Sequence, residues 1–149
     1  MKIMEFKGKY EFLSNFYPSE LSIVCSHNPL IVPYKTVEHF YQASKTTTLK
    51  DHMSIVVLDS PGKAKRNARK LKIRSDWEQI KVERMKCALI SKFNNEKFKQ
   101  LLLNTETKNL VEGNSWRDTF WGVDKFTGEG FNMLGKLLME IRSDLRRLK

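Results

Sequence analysis

No apolar run in the 149-residue chain exceeds four residues, as in Ile55 to Leu58. No segment is therefore expected to span a bilayer or to form a signal-peptide core, and a soluble, cytoplasmic protein without membrane partners is expected. Cysteine is equally scarce. Cys25 and Cys87 lie in apolar-patterned stretches with no close thiol pairing, which excludes a disulfide framework and suits reduced thiols. His27, His39 and His52 fall in no ligand spacing, and CxxC and HExxH are absent, so no metal is expected. No Gly-rich nucleotide loop of the GxGxxG or GxxxxGK[ST] kind follows a strand, and no cofactor is expected. With 7 Gly and 4 Pro, neither a collagen-like nor a low-complexity chain is possible.

Hydrophobic residues make up 40% of the chain and aromatics 11%, enough for a core. Acids are outnumbered 17 to 27 by Lys and Arg, and the net charge of +10 favours anionic partners: nucleic acid, nucleotides or phosphorylated metabolites.

The N-terminal third reads as a β-hairpin. Leu21, Ile23 and Cys25 alternate with Ser22, Val24 and Ser26, and after the breaker Ser26-His27-Asn28-Pro29 a second apolar run follows, Leu30-Ile31-Val32. From Thr36 the period changes. Val37, Phe40, Tyr41 and Ser44 share one arc at about 100° per residue, placing a helix after Thr36 as N-cap. Ser60-Pro61 marks a second helix start, and Ser75-Asp76-Trp77-Glu78 has the form of a capping box before Val82, Met85, Leu89 and Phe93. Phe98, Leu101 and Leu102 belong to a companion helix. Leu134, Leu137, Leu138, Ile141, Leu145 and Leu148 draw the stripe of a C-terminal one. The expectation is an α+β fold: one predominantly helical domain over residues 1–149 with a small β-hairpin or sheet element.

Four features can carry chemistry. In the first helix Glu38, Gln42 and Lys45 fall at i, i+4 and i+7, which is either an ordinary solvated stripe or a convergence of acid, amide and amine. The preceding Phe12-Leu13-Ser14-Asn15-Phe16-Tyr17 is rich in aromatics for a loop, and Asn15 and Phe16 suit binding of a base. In Gly113-Asn114-Ser115-Trp116-Arg117-Asp118-Thr119-Phe120-Trp121-Gly122, the indoles can plug a core or stack on a nucleobase, and Asp118 can cap a turn or act on a glycosidic bond. Thr127 to Asn132 approaches the last helix through Gly128 and Gly130, a weak candidate phosphate cradle. Between Lys63 and Arg74 stand seven cationic residues and no acid, either a solvated face or a surface for DNA phosphates.

Taken in order, Phe12-Leu13-Ser14-Asn15-Phe16, Thr36 through Lys45, Ser60-Pro61 with Lys65 and Arg69, Trp77, Leu110-Val111-Glu112, Asp118-x-x-Trp121-Gly122 and Asn132-x-Leu134-Gly135-x-x-Leu138-Met139 resemble the NADAR (YbiA-like) family. The resemblance implies a mainly helical N-glycosidase that hydrolyses a bond between the ribose anomeric carbon and a nitrogen. Its implied substrates are phosphorylated ribosylaminopyrimidine intermediates of riboflavin synthesis or ADP-ribosylated guanine. By motif position it implies Glu38, Lys45 and Asp118 as catalytic residues, with Asn15, Phe16, Gln42, Arg69, Trp77, Trp121, Gly122 and Asn132 binding the ADP-ribosyl or phosphoribosyl substrate. Lys45 suits either a phosphate clamp or a Schiff-base nucleophile. Where the family pattern has Gly before the Arg, this chain has Ala68 before Arg69. A non-catalytic module for ADP-ribose or nucleic acid is the competing reading, since the basic segment and the Trp residues serve binding equally well.

Overall fold

Four helices begin at a side chain that accepts a backbone N–H, which local sequence alone encodes. Thr36 accepts from His39 N to start α1 (Val37–Ser44), and Thr48 from Asp51 N to start α2 (Leu49–Val56). Ser60 accepts from Lys63 N with Pro61 in the first turn of α3 (Pro61–Ala68), and Asn95 accepts from Lys97 N and Phe98 N to start α5 (Glu96–Leu103). Between them runs α4 (Trp77–Phe93). It begins at Trp77, inside the expected capping box and one residue later than a Ser75 cap would start it, and the carboxylate of Asp76 is held by Arg74 at 2.6 Å. The computed structural model describes residues 1–23 and 32–148. Cys25, His27 and Leu30-Ile31 of the expected hairpin lie outside the described residues.

The chain divides into two compact units, a terminal one of Met1–Ser14 with Phe93–Lys149 and a central one of Asn15–Lys92. In the central unit β2 (Leu21–Ser22) pairs antiparallel with β3 (Pro33–Tyr34), Leu21 opposite Tyr34, as the ends of a hairpin would. Helix α1 packs on α2 and α3 and is buried along its whole length. Tyr34 stands edge-on to Phe40 at 5.0 Å and its hydroxyl meets His52 Nε2 at 2.7 Å. Helix α2 was not foreseen. Its buried face is Ile55 and Val56 with the polar His52, too few apolar residues to show a period, and the cap Thr48 was its available signal.

In the terminal unit β1 (Lys2–Ile3) runs parallel to β4 (Asn109–Leu110), and β5 (Gly113–Asn114) parallel to β6 (Val123–Asp124). A 3-10 segment at Gly8–Leu13 packs on α5, and α6 (Met133–Arg147) packs on α5 and β4. Leu134, Leu137, Leu138 and Ile141 are buried as the stripe required, whereas Leu148 is beyond α6 and 82% exposed. Gly135 allows the crossing, because a Cβ there would stand 2.0 Å from the Leu110 carbonyl oxygen. Among the described residues, no helix is long and apolar enough to cross a membrane.

Lys92 of α4 is 1% exposed, its ammonium 6.0 Å from the centre of the Tyr17 ring, and burial pushes its pKa down to about 7. Between about 7 and the ordinary 10.5 the unfolded chain holds more protons at this position than the folded one, so this group makes stability rise with pH across that window. Lys92→Met removes the dependence. In urea unfolding at constant ionic strength, the stability of wild type relative to the variant should rise from pH 7 toward pH 10; a difference that stays constant would contradict the assignment.

Candidate functional site

The central unit places the predicted polar stripe inside the protein. Glu38 is 7% exposed and Gln42 3%. They cannot form a solvated face. Gln42 Nε2 donates to Glu38 Oε1 at 2.7 Å, and the backbone N–H of Glu38 donates to the Asn15 carbonyl at 3.1 Å, which seats the loop on the first turn of α1. A buried carboxylate so braced holds one orientation.

Lys45 closes the same helix. Its carbonyl accepts the N–H of Arg74 at 2.9 Å, and the Arg74 carbonyl accepts the N–H of Trp77 at 3.2 Å, so the chain after α3 is drawn past the end of α1. Trp77 thereby lies against Tyr41, ring centres 5.1 Å apart, and Lys45 Nζ is 5.1 Å from the Tyr41 ring centre and 5.9 Å from that of Trp77. Trp77 is itself buried, so it walls the lysine and offers little surface for stacking. Burial holds Lys45 below the ordinary lysine range; Glu38 opposes the shift, while Lys65, Arg69 and Lys81 add to it by repulsion. Four cations thus share one neighbourhood with the Glu38 carboxylate. The arrangement suits a phosphate, and it also makes the amine easier to deprotonate than an exposed lysine.

The basic segment is not one uniform surface. Lys63 pairs with Asp59 and Arg74 with Asp76, while Lys65 and Arg69 act on Lys45. Of the loop aromatics, Phe16 is 42% exposed. His39 is occupied between Thr36 Oγ1 at 2.8 Å and the Leu58 carbonyl at 2.9 Å.

The terminal unit holds the second set. Asp118 Oδ1 accepts from the backbone N–H of Phe120 at 3.2 Å and of Trp121 at 2.9 Å, and Asn114 brackets the Asp118 backbone with bonds of 2.9 and 3.1 Å. Asp118 therefore does cap a turn. Trp121 is half-buried, edge-on to Phe120 at 4.9 Å. The carbonyls of residues 119–122 accept the N–H groups of Phe131, Met133, Leu134 and Asn132, so the start of α6 is already satisfied. This corrects the expectation of a phosphate cradle there, since the donors that would hold an anion are spent on the loop. Asn132, left-handed at φ 51°, turns its amide away from the helix: Nδ2 donates to the Leu110 carbonyl at 2.9 Å and Oδ1 accepts from Glu112 N at 3.0 Å.

Glu112 is a residue the sequence reasoning missed as a site candidate. Gly122 makes its position possible, because a Cβ there would stand 2.2 Å from the Glu112 carbonyl oxygen and 2.9 Å from its Cγ. Glu112 Oε2 is enclosed without a hydrogen-bond partner. Burial, helped by the charges of Asp118 and Glu5, raises its pKa to about 7. The signal in the sequence was two acids six residues apart around an Asn and a close-packing Gly. Among the described residues, no group of three or more His, Cys, Asp or Glu is placed to hold a metal ion.

The NADAR domain model matches residues 4–146, across both units. The chain belongs to the NADAR domain family. Among curated relatives, the N-glycosidase Npun_R5314 of Nostoc punctiforme is 34% identical over 145 residues, covering 93% of this chain and 88% of that protein. The N-glycosidase YbiA of Escherichia coli is 38% identical over 115 residues, 75% of this chain and 71% of that one. The riboflavin biosynthesis protein PYRR of Zea mays is 34% identical over 145 residues that make up 23% of its own length. The solved structure of E. coli YbiA superposes with a TM-score of 0.83 at 32% identity, covering 99% of this chain and 85% of that one. The mostly helical α+β fold with short strands is the YbiA fold.

The Glu112 environment makes a stability prediction. Between about 4.5 and 7 the folded chain holds the proton that the unfolded chain has lost, so this group makes stability fall as pH rises through that window. Glu112→Gln should therefore gain thermal stability relative to wild type between pH 5 and pH 8, by a few kcal/mol at most. A variant whose advantage does not change with pH would show that the carboxyl is ordinary.

Proposed function

We propose that the protein is an N-glycosidase that hydrolyses the bond between a ribose anomeric carbon and a nitrogen in a small phosphorylated substrate. The observation that carries the reading is the buried, Gln42-braced carboxylate of Glu38 on the same helix as a lysine ringed by three further cations. Breaking an N-ribosyl bond builds oxocarbenium charge on the sugar, and a fixed carboxylate in a desolvated site stabilises it without reorganising. The cations Lys45, Lys65 and Arg69 hold the substrate phosphate, and Lys81, itself paired with Glu78 at 2.5 Å, adds to the positive field. Lys45 is assigned the clamp role because the neighbouring cations and its aromatic walls serve an anion directly. Asp118 is assigned the second acid and Trp121 a base-stacking surface on their motif positions; the turn that Asp118 caps fixes both side chains relative to each other.

The names of the relatives support this reading: two are N-glycosidases, and the longer maize protein is assigned to riboflavin biosynthesis. Phosphorylated ribosylaminopyrimidines are accordingly the first substrate class to test, with ADP-ribosylated guanine the second. Pairing of Lys63 and Arg74 with their own acids leaves a local anion site rather than a long track for a polynucleotide, which favours a compact substrate over DNA. A pure binding module would have no use for a buried carboxylate beside its anion site, which weighs against that alternative.

The purified protein, incubated with each substrate, should release free base and sugar. Glu38→Gln should lower turnover by a factor of about 10² or more with its thermal midpoint little changed. Failure of the wild type to release base from either substrate would overturn the proposal, and full activity in Glu38→Gln would remove that residue from it.

A further inference from the structure

The chain between β6 and α6 holds an aromatic ring in water on a backbone fixed from both sides. Phe131 is 64% exposed, and its N–H donates to the Thr119 carbonyl at 2.8 Å. Gly130 before it, at φ 144°, lies so close to the facing loop that a Cβ would stand 2.4 Å from the Gly122 carbonyl oxygen. Asn132 after it is left-handed and tied through its amide to Leu110 and Glu112.

The ring does not stand alone. Phe131 lies 6.3 Å from Phe120, centre to centre and tilted by 57°, and Phe120 is edge-on to Trp121 at 4.9 Å. Phe120 and Trp121 are half-buried, so Phe131 is the most exposed of three contiguous rings. A solitary exposed Phe is ordinary. A contiguous aromatic surface on a fixed backbone, by contrast, loses little freedom when a further ring covers it.

The charge on the same turn narrows what that further ring is. Asp118 Oδ1 takes the N–H groups of Phe120 and Trp121, so a carboxylate is fixed to the turn that carries two of the three rings. It disfavours an anionic ring and suits a neutral one that carries N–H donors. An amino-bearing heteroaromatic base has that chemistry.

We infer that Phe131 is a specificity-determining residue whose exposed ring, extended by Phe120, stacks on the amino-bearing heteroaromatic base of the substrate. Phe131 lies just outside the motif Asn132-x-Leu134-Gly135, so the family pattern does not mark it. The inference rests on the glycosidase reading for a substrate that contains such a base.

Binding of a free base separates this inference from catalysis. The probe is 2-aminopurine, whose fluorescence is quenched when it stacks. Titration with the wild-type protein should give saturable quenching, relieved by excess purine and not by benzyl alcohol, an apolar ring, at the same concentration. Phe131→Ala should weaken the affinity by about fivefold or more, and Phe131→Tyr should keep it within about twofold. Thermal midpoints should barely move, because the ring is exposed. Phe126→Ala is the control: that ring is 79% exposed and has the Lys125 ammonium 5.3 Å from its centre, and its loss should leave binding unchanged. No saturable quenching, equal competition by benzyl alcohol, an undiminished affinity in Phe131→Ala, or an equal loss in Phe126→Ala would each overturn the inference. Base release from substrate together with binding that ignores Phe131 would overturn the inference and leave the glycosidase reading standing. Binding that depends on Phe131 without release of base from either substrate would overturn the glycosidase reading and leave the stacking role in place.

Discussion

The central unit is organised around a charge that has been taken out of water. Glu38 is buried on a helix with no exposed face, and Lys45 lies less than two turns further along it. Neither group is cheap to bury. A carboxylate in such a position requires hydrogen bonds, supplied here by Gln42, and a lysine requires either a counter-charge or a partial loss of its own. Glu38 offers the counter-charge while Lys65, Arg69 and Lys81 work against the ammonium. The resulting excess of positive charge is not what stability alone would select. On the proposed reading it is a standing capacity for an anion, held open by the same helix that fixes the carboxylate.

A different principle governs the terminal unit. There the main chain is brought close by the absence of side chains, at Gly122 over Glu112 and at Gly135 over Leu110, and Asn132 joins both places with its amide. The loop carbonyls before Gly122 take the first amides of α6, so the helix start serves as a clasp for the loop. Asp118 is presented from this clasp with one oxygen committed to two backbone amides. Glu112 is enclosed beneath Gly122 and has nowhere to share its charge. Two carboxyls in one unit thus meet different surroundings, one bonded by backbone amides and the other enclosed without a donor for Oε2.

Much of this was legible in the chain. The Thr36 cap and the arc of Val37, Phe40 and Tyr41 announced α1, Ser60-Pro61 announced α3, and the leucines of α6 announced a helix whose apolar stripe faces inward as far as Ile141. What periodicity could not convey was that α1 has no wet side. A stripe of Glu, Gln and Lys beside an apolar arc looks the same whether water or protein covers it, and only tertiary packing decides. Helix α2 escaped for the opposite reason, having too little apolar surface to produce a period. Glu112 had only its spacing from Asp118 as a local signal, because the rest of its environment comes from burial, from Glu5, distant in sequence, and from the missing side chain of Gly122, which a local pattern does not record. The family motifs marked the positions of Asp118, Trp121 and Asn132, but not that Asn132 is tied to the backbone at Leu110 and Glu112.

The most direct examination of the central claim is a titration of Lys45 itself. With the lysine side chains labelled at carbon ε and the Lys45 resonance assigned by its loss in Lys45→Met, the amine should titrate below the ordinary lysine range. In Glu38→Gln it should titrate lower still, because the favourable charge of Glu38 has gone while Lys65, Arg69 and Lys81 remain. A Lys45 that titrates like a surface lysine, or that is indifferent to Glu38, would contradict the account of this helix as a desolvated carboxylate and amine held in a field of positive charge.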